Sequence, residues 1–122
     1  MSGSKRIVLR EVAHSRAGEK GDVVFVSVIA HDEADYGLLE SEVTIEAVTD
    51  RFGSILTGSV ERFEVPNIGA LNFALHGALN GGRTRNLAFE ESGKALSSLM
   101  LGLEITVDER FVPWSERRVG GR

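Results

Sequence analysis

The stretch from Val23 to His31, Val-Val-Phe-Val-Ser-Val-Ile-Ala-His, decides the fold class of this 122-residue chain. It is dense in Val and Ile, and no polar side chain comes before Ser27. Such a run is typical of a β-strand that is buried on both faces of a sheet. We therefore predict a buried strand over residues 23–31, and we expect Ser27 to be an interior hydroxyl that hydrogen-bonds to the backbone.

Four other segments have the pattern of strands. Residues 6–13 are rich in β-branched residues, residues 58–65 alternate apolar and polar side chains up to Pro66, and residues 83–89 and 103–107 are short apolar-rich runs. The alternation in residues 58–65 predicts one buried and one exposed face. The side chains expected to point inward are Val60, Phe63 and Val65, and those expected to point outward are Glu61, Arg62 and Glu64.

Two helices are predicted directly after the Val-rich strand. Residues 35–41 and 44–52 carry one apolar stripe at helical spacing. Asp32 and Thr44 are residue types that cap helix N-termini, and Gly53 is suited to end the second helix.

Two later segments also have helical spacing. The first covers residues 69–79 and the second begins at residues 92–94. Their apolar stripes consist of Leu71, Leu75, Ala78 and Leu79 in the first and Leu96, Leu99 and Met100 in the second.

The predicted order of elements is therefore β-β-α-β-α-β-α-β. A loop rather than a helix joins the first two strands, which argues against a doubly wound parallel sheet. The fold class is α+β, with a mixed or antiparallel sheet covered by helices in a domain of residues 1–107. Residues 108–122 are expected to form a C-terminal tail. Its Phe111 and Trp114 should pack on the domain or a neighbouring subunit, while residues 117–122 stay loose.

The composition excludes several classes of protein. The chain has no cysteine, which excludes disulfides, thiolate metal sites and cysteine nucleophiles. A formal net charge of -4 argues against nucleic-acid binding, which needs a basic surface. No apolar run approaches the ~20 residues of a membrane-spanning helix, and residues 1–6 lack the apolar core of a secretory signal. We therefore expect a cytoplasmic protein with neither a membrane nor a nucleic acid as partner.

Residues 15–22, Ser-Arg-Ala-Gly-Glu-Lys-Gly-Asp, are the segment best suited to bind a ligand, and we predict that they form a loop. Arg16 and Lys20 supply two positive charges. Gly18 and Gly21 leave backbone N–H groups open to close approach. A carboxylate or a phosphate is the ligand class that suits this combination.

Three further residues enter this prediction. Asp22 is expected to pair internally and to fix Arg16 or the loop backbone. Asn67 and Asn72 are amides in or beside a predicted helix, where they could bind a substrate carbonyl. The alternative is purely structural: a glycine-bearing turn with solvated charges, a helix cap at Asn67, and a hydrogen bond across a packed interface at Asn72.

The histidines and serines give no catalytic assignment. The separations between His14, His31 and His76 match no metal-ligand pattern, so neither a metal site nor a cofactor is predicted. His14 and His31 flank the loop and the next strand, so they could be neighbours across a hairpin. No Gly-x-Ser-x-Gly nucleophile elbow occurs in the chain.

Three motifs resemble the AtuA-like domain, which is found at the C-terminus of acyclic terpene utilisation protein A and its relatives. Residues 16–22, Arg-Ala-Gly-Glu-Lys-Gly-Asp, are similar to that family's Arg-Ser-Gly-Asp-Lys-Gly-Asp signature. Residues 66–73 with Gly81-Gly82, and residues 90–96, resemble two further family segments in the same order. The resemblance spans about residues 8–107 and implies a ferredoxin-like domain.

The resemblance also implies which residues bind a ligand. The chain departs from the family pattern at Phe25, where the family commonly has Asn, and at Ser27, where it commonly has Gly. The matching positions, which the resemblance makes ligand-binding candidates, are Arg16, Lys20, Gly21, Asp22, Asn67 and Asn72.

The family context implies a function. The domain follows a much larger domain in some proteins and is a separate small chain in others, and the acyclic terpene pathway proceeds through branched acyl-CoA esters. The implied role is a small accessory subunit of an AtuA-like two-part system in acyl-CoA or acyclic terpenoid catabolism. Its partners would be a large AtuA-like subunit and a small anionic or acyl-CoA ligand. The alternative is a non-catalytic, homo-oligomeric ligand-binding or regulatory module. A homo-oligomer is expected in either case because the sheet has edges to hide.

Overall fold

The computed structural model describes residues 3–20, 23–53, 56, 58–77, 96–114 and 116–117. A helical stretch covers residues 96–101, and single 3-10 turns occur between the main elements. The turns are Leu9–Glu11, Glu33–Asp35 and Pro66–Ile68. The strands and α-helices are β1 (Ser4–Val8), β2 (Ala13–Lys20), β3 (Val23–Ala30), α1 (Tyr36–Glu42), α2 (Ile45–Phe52), β4 (Val60–Val65), β5 (Ala70–His76) and β6 (Glu104–Asp108).

Four strands form an antiparallel sheet in the order β2-β3-β5-β4, and β1 pairs with β6 in a separate antiparallel pair. Side chains on one face of the four-stranded sheet join those of the helices in a single hydrophobic core. We call this the inner face. Its fully buried members include Val26, Leu71 and Phe73, which pack in one cluster with Leu39 of α1 and Val48 of α2. The predicted α+β class is confirmed.

The opposite side of the same sheet is called the outer face. Because successive side chains of a strand alternate between faces, the register between strands assigns its members. They are His14, Arg16 and Gly18 on β2, Val23, Phe25, Ser27 and Ile29 on β3, Ala70, Asn72, Ala74 and His76 on β5, and Glu61, Phe63 and Val65 on β4.

Within the segment predicted as a helix over residues 69–79, Ala70–His76 forms β5 instead, and residues 78–79 lie outside the described residues. The prediction was wrong because the spacing of Leu71 and Leu75 fits the period of a strand as well as that of a helix. Phe73 lies between them and is buried on the same face, as only a strand allows. β5 pairs with β3 on one side and β4 on the other, and this two-sided pairing overrides local spacing.

The segment predicted as a loop over residues 15–22 is a strand as far as Lys20. β2 pairs with β3 from Ala13 opposite Ala30 to Lys20 opposite Val23. The loop prediction was wrong because backbone pairing does not require apolar side chains. β2 is an edge strand, where polar residues such as Arg16 remain exposed.

The prediction that the Val-rich strand is buried on both faces was also wrong. Val24, Val26 and Val28 are fully buried, whereas Phe25 is 42% exposed. Phe63 and Val65 of β4, predicted to point inward, lie on the outer face, and Phe63 is 47% exposed. Arg62 and Glu64, predicted to point outward, lie on the inner face. Both errors have one cause: α1 and α2 contribute their apolar residues to the core on the inner face.

Ser27 is half-buried rather than interior. The predicted bond to the backbone is present, because its hydroxyl donates to the carbonyl oxygen of Arg16 at 3.4 Å. The bond joins β2 to β3 from the outer face.

The two helices after β3 confirm the prediction made from their local signals. The Thr44 hydroxyl accepts a hydrogen bond from the Ala47 N–H at 3.0 Å and so caps α2. Asp32 caps the 3-10 turn that leads into α1 by accepting from the Ala34 N–H at 3.0 Å. α2 ends at Gly53, whose φ of +49° is one that a side chain disfavours.

The remaining strand predictions fall into two groups: those on described residues and those outside them. The strands predicted at residues 58–65 and 103–107 are present as β4 and β6, and the one predicted at residues 6–13 is β1 followed by a 3-10 turn. The strand predicted at residues 83–89 and the start of the last helix at residues 92–94 lie outside the described residues.

In the described part of the C-terminal tail, Trp114 packs on the domain as predicted, and Arg117, predicted to be loose, is held by ion pairs. The Trp114 ring stacks on His31 with ring centroids 4.7 Å apart. Arg117 forms ion pairs with Asp32 at 3.3 Å and with Asp35 at 3.0 Å. Asp35 is a buried carboxylate, and a buried charge is stable only beside a partner of opposite sign.

Candidate functional site

A shallow hollow of about 310 Å³ lies on the outer face, where β2, β3 and β5 run side by side. The register builds it: Arg16 lies opposite Ser27, and Ser27 lies opposite Asn72, so three polar residues form one row across three strands. Gly18 keeps one side open, because a Cβ at this position would meet no atom within 4 Å. The residues that line the hollow are Arg16, Ala17, Gly18, Phe25, Ser27 and Asn72.

Arg16 is the positively charged group of this hollow. Its side chain is exposed, and no other described residue forms an ion pair or hydrogen bond with its guanidinium. A guanidinium can donate two parallel hydrogen bonds to a carboxylate or a phosphate. The Asn72 amide both donates and accepts, and the exposed Phe25 ring supplies an apolar wall. Together these groups suit an anion attached to an apolar body.

The structure brings together two of the six predicted ligand-binding residues. Arg16 and Asn72 both line the hollow, although Asn72 lies on a strand and not in the predicted helix. Asn67 lies exposed in the turn Pro66–Ile68 and is not one of the lining residues.

The other three predicted residues cannot be placed at the hollow. Lys20 is the last residue of β2, and its side chain lies outside the part of the chain that the structure describes. Gly21 and Asp22, between β2 and β3, are likewise outside it.

Two other lining residues, Phe25 and Ser27, are not among the predicted ligand-binding residues. Phe25 and Ser27 were assigned to the interior of a strand buried on both faces. The signal that could have found them is their spacing of two, which places them on one face of β3, opposite Val24 and Val26.

The sequence of the chain also matches a known protein family. The sequence model for the AtuA ferredoxin-like domain matches residues 7–106, which include the whole four-stranded sheet and its hollow. The chain belongs to the AtuA ferredoxin-like domain family. The resemblance seen in the motifs is thereby confirmed. Neither the search of curated proteins nor the search of solved structures found a match.

A second hollow in this AtuA ferredoxin-like domain, of about 390 Å³, is less suited to an anion. It lies beside α2 and the start of β6, and both of its arginines are engaged. Arg6 pairs with Glu104 at 3.3 Å, and the Arg51 Nε donates to the Leu99 carbonyl oxygen at 2.8 Å. The hollow at Arg16 is therefore the stronger candidate for anion binding.

A stack of three rings lies where the outer face meets the tail of the AtuA ferredoxin-like domain. His14 and His31 are neighbours across the β2–β3 hairpin, as predicted, with ring centroids 5.4 Å apart, and Trp114 continues the stack. Burial lowers the pKa of His31, and the nearby His14 lowers it further, against a hydrogen bond to the Arg10 backbone that raises it. The neutral form of His31 is therefore favoured in the folded domain.

Among the described residues, no three His, Asp or Glu side chains are arranged to hold a metal ion. None of the helices in that part of the chain is both long and apolar enough to cross a membrane.

Proposed function

We propose that this AtuA ferredoxin-like domain is a small cytoplasmic accessory subunit of an AtuA-like two-part system in acyl-CoA or acyclic terpenoid catabolism. In this role the hollow at Arg16 holds the anionic group of the ligand. The observation that carries the proposal is the exposed Arg16 guanidinium, set in one row with Ser27 and Asn72.

The chemistry of the hollow favours binding over bond-breaking. Arg16 and Asn72 provide hydrogen bonds to a carboxylate or phosphate, and Phe25 provides a surface for an acyl chain. The Ser27 hydroxyl already donates to the Arg16 carbonyl oxygen, so its role is to link β2 to β3 rather than to act as a nucleophile. The reacting groups would then come from the large AtuA-like subunit.

Calorimetric titration of the intact chain with three probes tests the ligand part of the proposal. The probes are a short branched acyl-CoA ester, its free carboxylic acid and inorganic phosphate. We expect Arg16→Ala to weaken binding about tenfold or more, because a charge-assisted hydrogen bond contributes about 1.5–3 kcal/mol. The melting temperature should stay nearly unchanged, since the substituted side chain is exposed and without a described partner.

The matched control is Arg10→Ala, which removes an exposed arginine of the 3-10 turn Leu9–Glu11, away from the hollow. Lys20→Ala is the second test variant, because the sequence motif pairs it with Arg16. The anion site is refuted if Arg16→Ala and Lys20→Ala both bind every probe as the wild type does, with the large subunit present.

The alternative function, a non-catalytic homo-oligomeric ligand-binding or regulatory module, is favoured by the exposed Phe25 and Phe63 rings. Affinity purification of the tagged chain from its native cells separates the two functions. A large AtuA-like chain recovered in stoichiometric amount supports the accessory subunit. Ligand binding with only copies of the chain itself recovered supports the module.

A further inference from the structure

The outer face of the sheet carries an unusual amount of exposed aromatic surface. Phe25 and Phe63 are 42% and 47% exposed, and they lie on β3 and β4 with only β5 between these strands. Half-buried Val65 and Ile29 extend the same apolar surface toward one end of the strands. Two exposed phenylalanines on one sheet face are typical of a surface that is covered by another protein chain.

The residues of the two central strands alternate large and small in a complementary way. Phe25 of β3 lies opposite Ala74 of β5, and Ile29 lies opposite Ala70. In these two rows a large side chain on β3 lies beside a methyl group on β5, and the row between them holds Ser27 and Asn72. A copy of the sheet turned so that β3 faces β5 would place Phe25 and Ile29 over the partner's two alanines.

The two edge strands, β2 and β4, carry charges of opposite sign on the outer face. Arg16 projects from the outer face of β2, whereas Glu61 projects from the outer face of β4, where it contacts the His76 ring at 2.8 Å. A two-fold axis parallel to the strands, between β3 and β5, places β2 of one copy over β4 of the other. An axis perpendicular to the strands would instead place β2 over β2 and bring like charges together, which is unfavourable.

We propose that the outer face is a self-complementary dimer interface in which two copies of the chain pack about a two-fold axis parallel to the strands. Arg16 then lies over the partner's Phe63, a cation–π arrangement, and Phe25 fills the space above the partner's Ala74. Ser27 and Asn72 meet the partner's Asn72 and Ser27 at the axis. Sheets that pack face to face in this way are aligned within about 30° and lie about 10 Å apart.

The dimer changes the hollow at Arg16 from an open depression into a site shared by two copies. Arg16, Phe25 and Asn72 come from one copy, and the partner's Phe63 covers Arg16. The partner's Glu61 lies over Gly18, at the side that is open in the single chain. The shared ligand site rests on the proposed function, because it places the anionic ligand within the dimer interface. The pairing of the two faces does not depend on that ligand.

The size of the face sets the expected strength of the dimer. Four strands about 4.8 Å apart and about seven residues long at ~3.4 Å per residue give a face of roughly 19 by 24 Å. Counted on both copies, such a face covers roughly 900 Å², which is below the ~1,200 Å² at which standard specific interfaces begin. The dimer is therefore expected to be weak, with a dissociation constant in the micromolar range.

Sedimentation equilibrium of the intact chain across the micromolar range, without ligand, tests the interface. The wild type should pass from monomer to dimer, and Phe63→Glu or Phe25→Glu should raise the dissociation constant at least about tenfold. The matched control is Ile45→Glu, which introduces the same charge at a residue of α2 that is 41% exposed. Circular dichroism checks that each variant is folded. If a Glu variant does not fold, Phe63→Ser is used in its place.

Cross-linking tests the direction of the axis. Because the chain has no cysteine, Gly18→Cys and Glu61→Cys variants can be labelled at one site each, and a Cβ at Gly18 would meet no atom within 4 Å. A short bis-maleimide should link a mixture of the two variants if the axis is parallel to the strands, because β2 then lies over the partner's β4. A perpendicular axis would leave this mixture unlinked, and Ile45→Cys should remain unlinked in either case.

A mass of 13.2 kDa at every concentration would overturn the dimer. A dimer whose dissociation constant is unchanged by Phe25→Glu and Phe63→Glu would also overturn it, as would a monomer in which Phe25 and Phe63 are shielded from solvent. A dimer that forms normally but binds no anion would refute the proposed function alone.

Discussion

The two faces of the four-stranded sheet use the same residue types for different purposes. On the inner face, Phe73 is fully buried and the neighbouring Arg62 side chain is only 16% exposed. The Arg62 Nη1 donates at 2.9 Å to the carbonyl oxygens of both Glu40 and Val43, at the end of α1. On the outer face, the ring of Phe63 is half in solvent.

Arg16 completes the comparison, because it lies in one row with Phe63 on the outer face and has no described partner. An arginine that satisfies helix carbonyls stabilises the fold, while one held exposed on a rigid strand is available to a ligand or another chain. The difference arises from which side of the sheet the helices cover, not from residue type. Variants on each face can therefore test whether the inner face contributes to stability and the outer face does not.

The largest difference is expected between two phenylalanines. Phe73→Ala should lower the free energy of unfolding by about 3–5 kcal/mol, because it leaves a cavity in a fully packed core. Phe63→Ala should change it by only about 0.5 kcal/mol, because this side chain is already 47% exposed in the single chain. Urea unfolding followed by circular dichroism measures both. Equal losses would mean that the outer face is as well packed as the inner one.

A smaller effect is expected for the inner-face arginine. Arg62→Met keeps most of the apolar stem but removes the hydrogen bonds to the C-terminal end of α1, and should cost about 1–3 kcal/mol. Arg16→Met is the matched outer-face control and should be nearly neutral. If the two variants melt alike, the carbonyl contacts of Arg62 contribute little to stability.

The smallest effect is a pH dependence at the end of the outer face, where His31 stacks on Trp114. The folded pKa of His31 lies below the usual 6.5, so the unfolded chain takes up this proton first as the pH falls. The stabilisation is complete above about pH 6.5 and is lost as the pH falls through the lower folded pKa. Between about pH 8 and pH 5, the wild type should lose more stability than His31→Gln. Parallel curves for the two proteins would contradict this assignment.

Sequence reasoning succeeded where the signal is local. Thr44 and Gly53 mark both ends of α2 by their own chemistry, so the helix was predicted within one residue at its start and at its last residue. It failed at β5, because the spacing of Leu71 and Leu75 fits two periods and the decision depends on strands that are distant in sequence. Most of β2 was predicted as a loop for a related reason: polar side chains on an edge strand resemble those of a loop.

The candidate site was predictable in part. Arg16 and Asn72 were found because motifs mark them, yet their proximity depends on the register of three strands. The contribution of Phe25 could not be predicted, because the sequence does not specify which side of β3 the helices cover. The spacing of two between Phe25 and Ser27 places them on one face without saying which face that is.

The pairing of β1 with β6 has a consequence for how this domain can be joined to other chains. Ser4 lies directly opposite Asp108, and the Glu109 N–H donates to the Gly3 carbonyl oxygen at 3.2 Å. The first and last strands are thus separated by one strand spacing, about 4.8 Å. A larger protein can accommodate such a module within a single surface loop, or at either terminus, without separating the strands that hold it together.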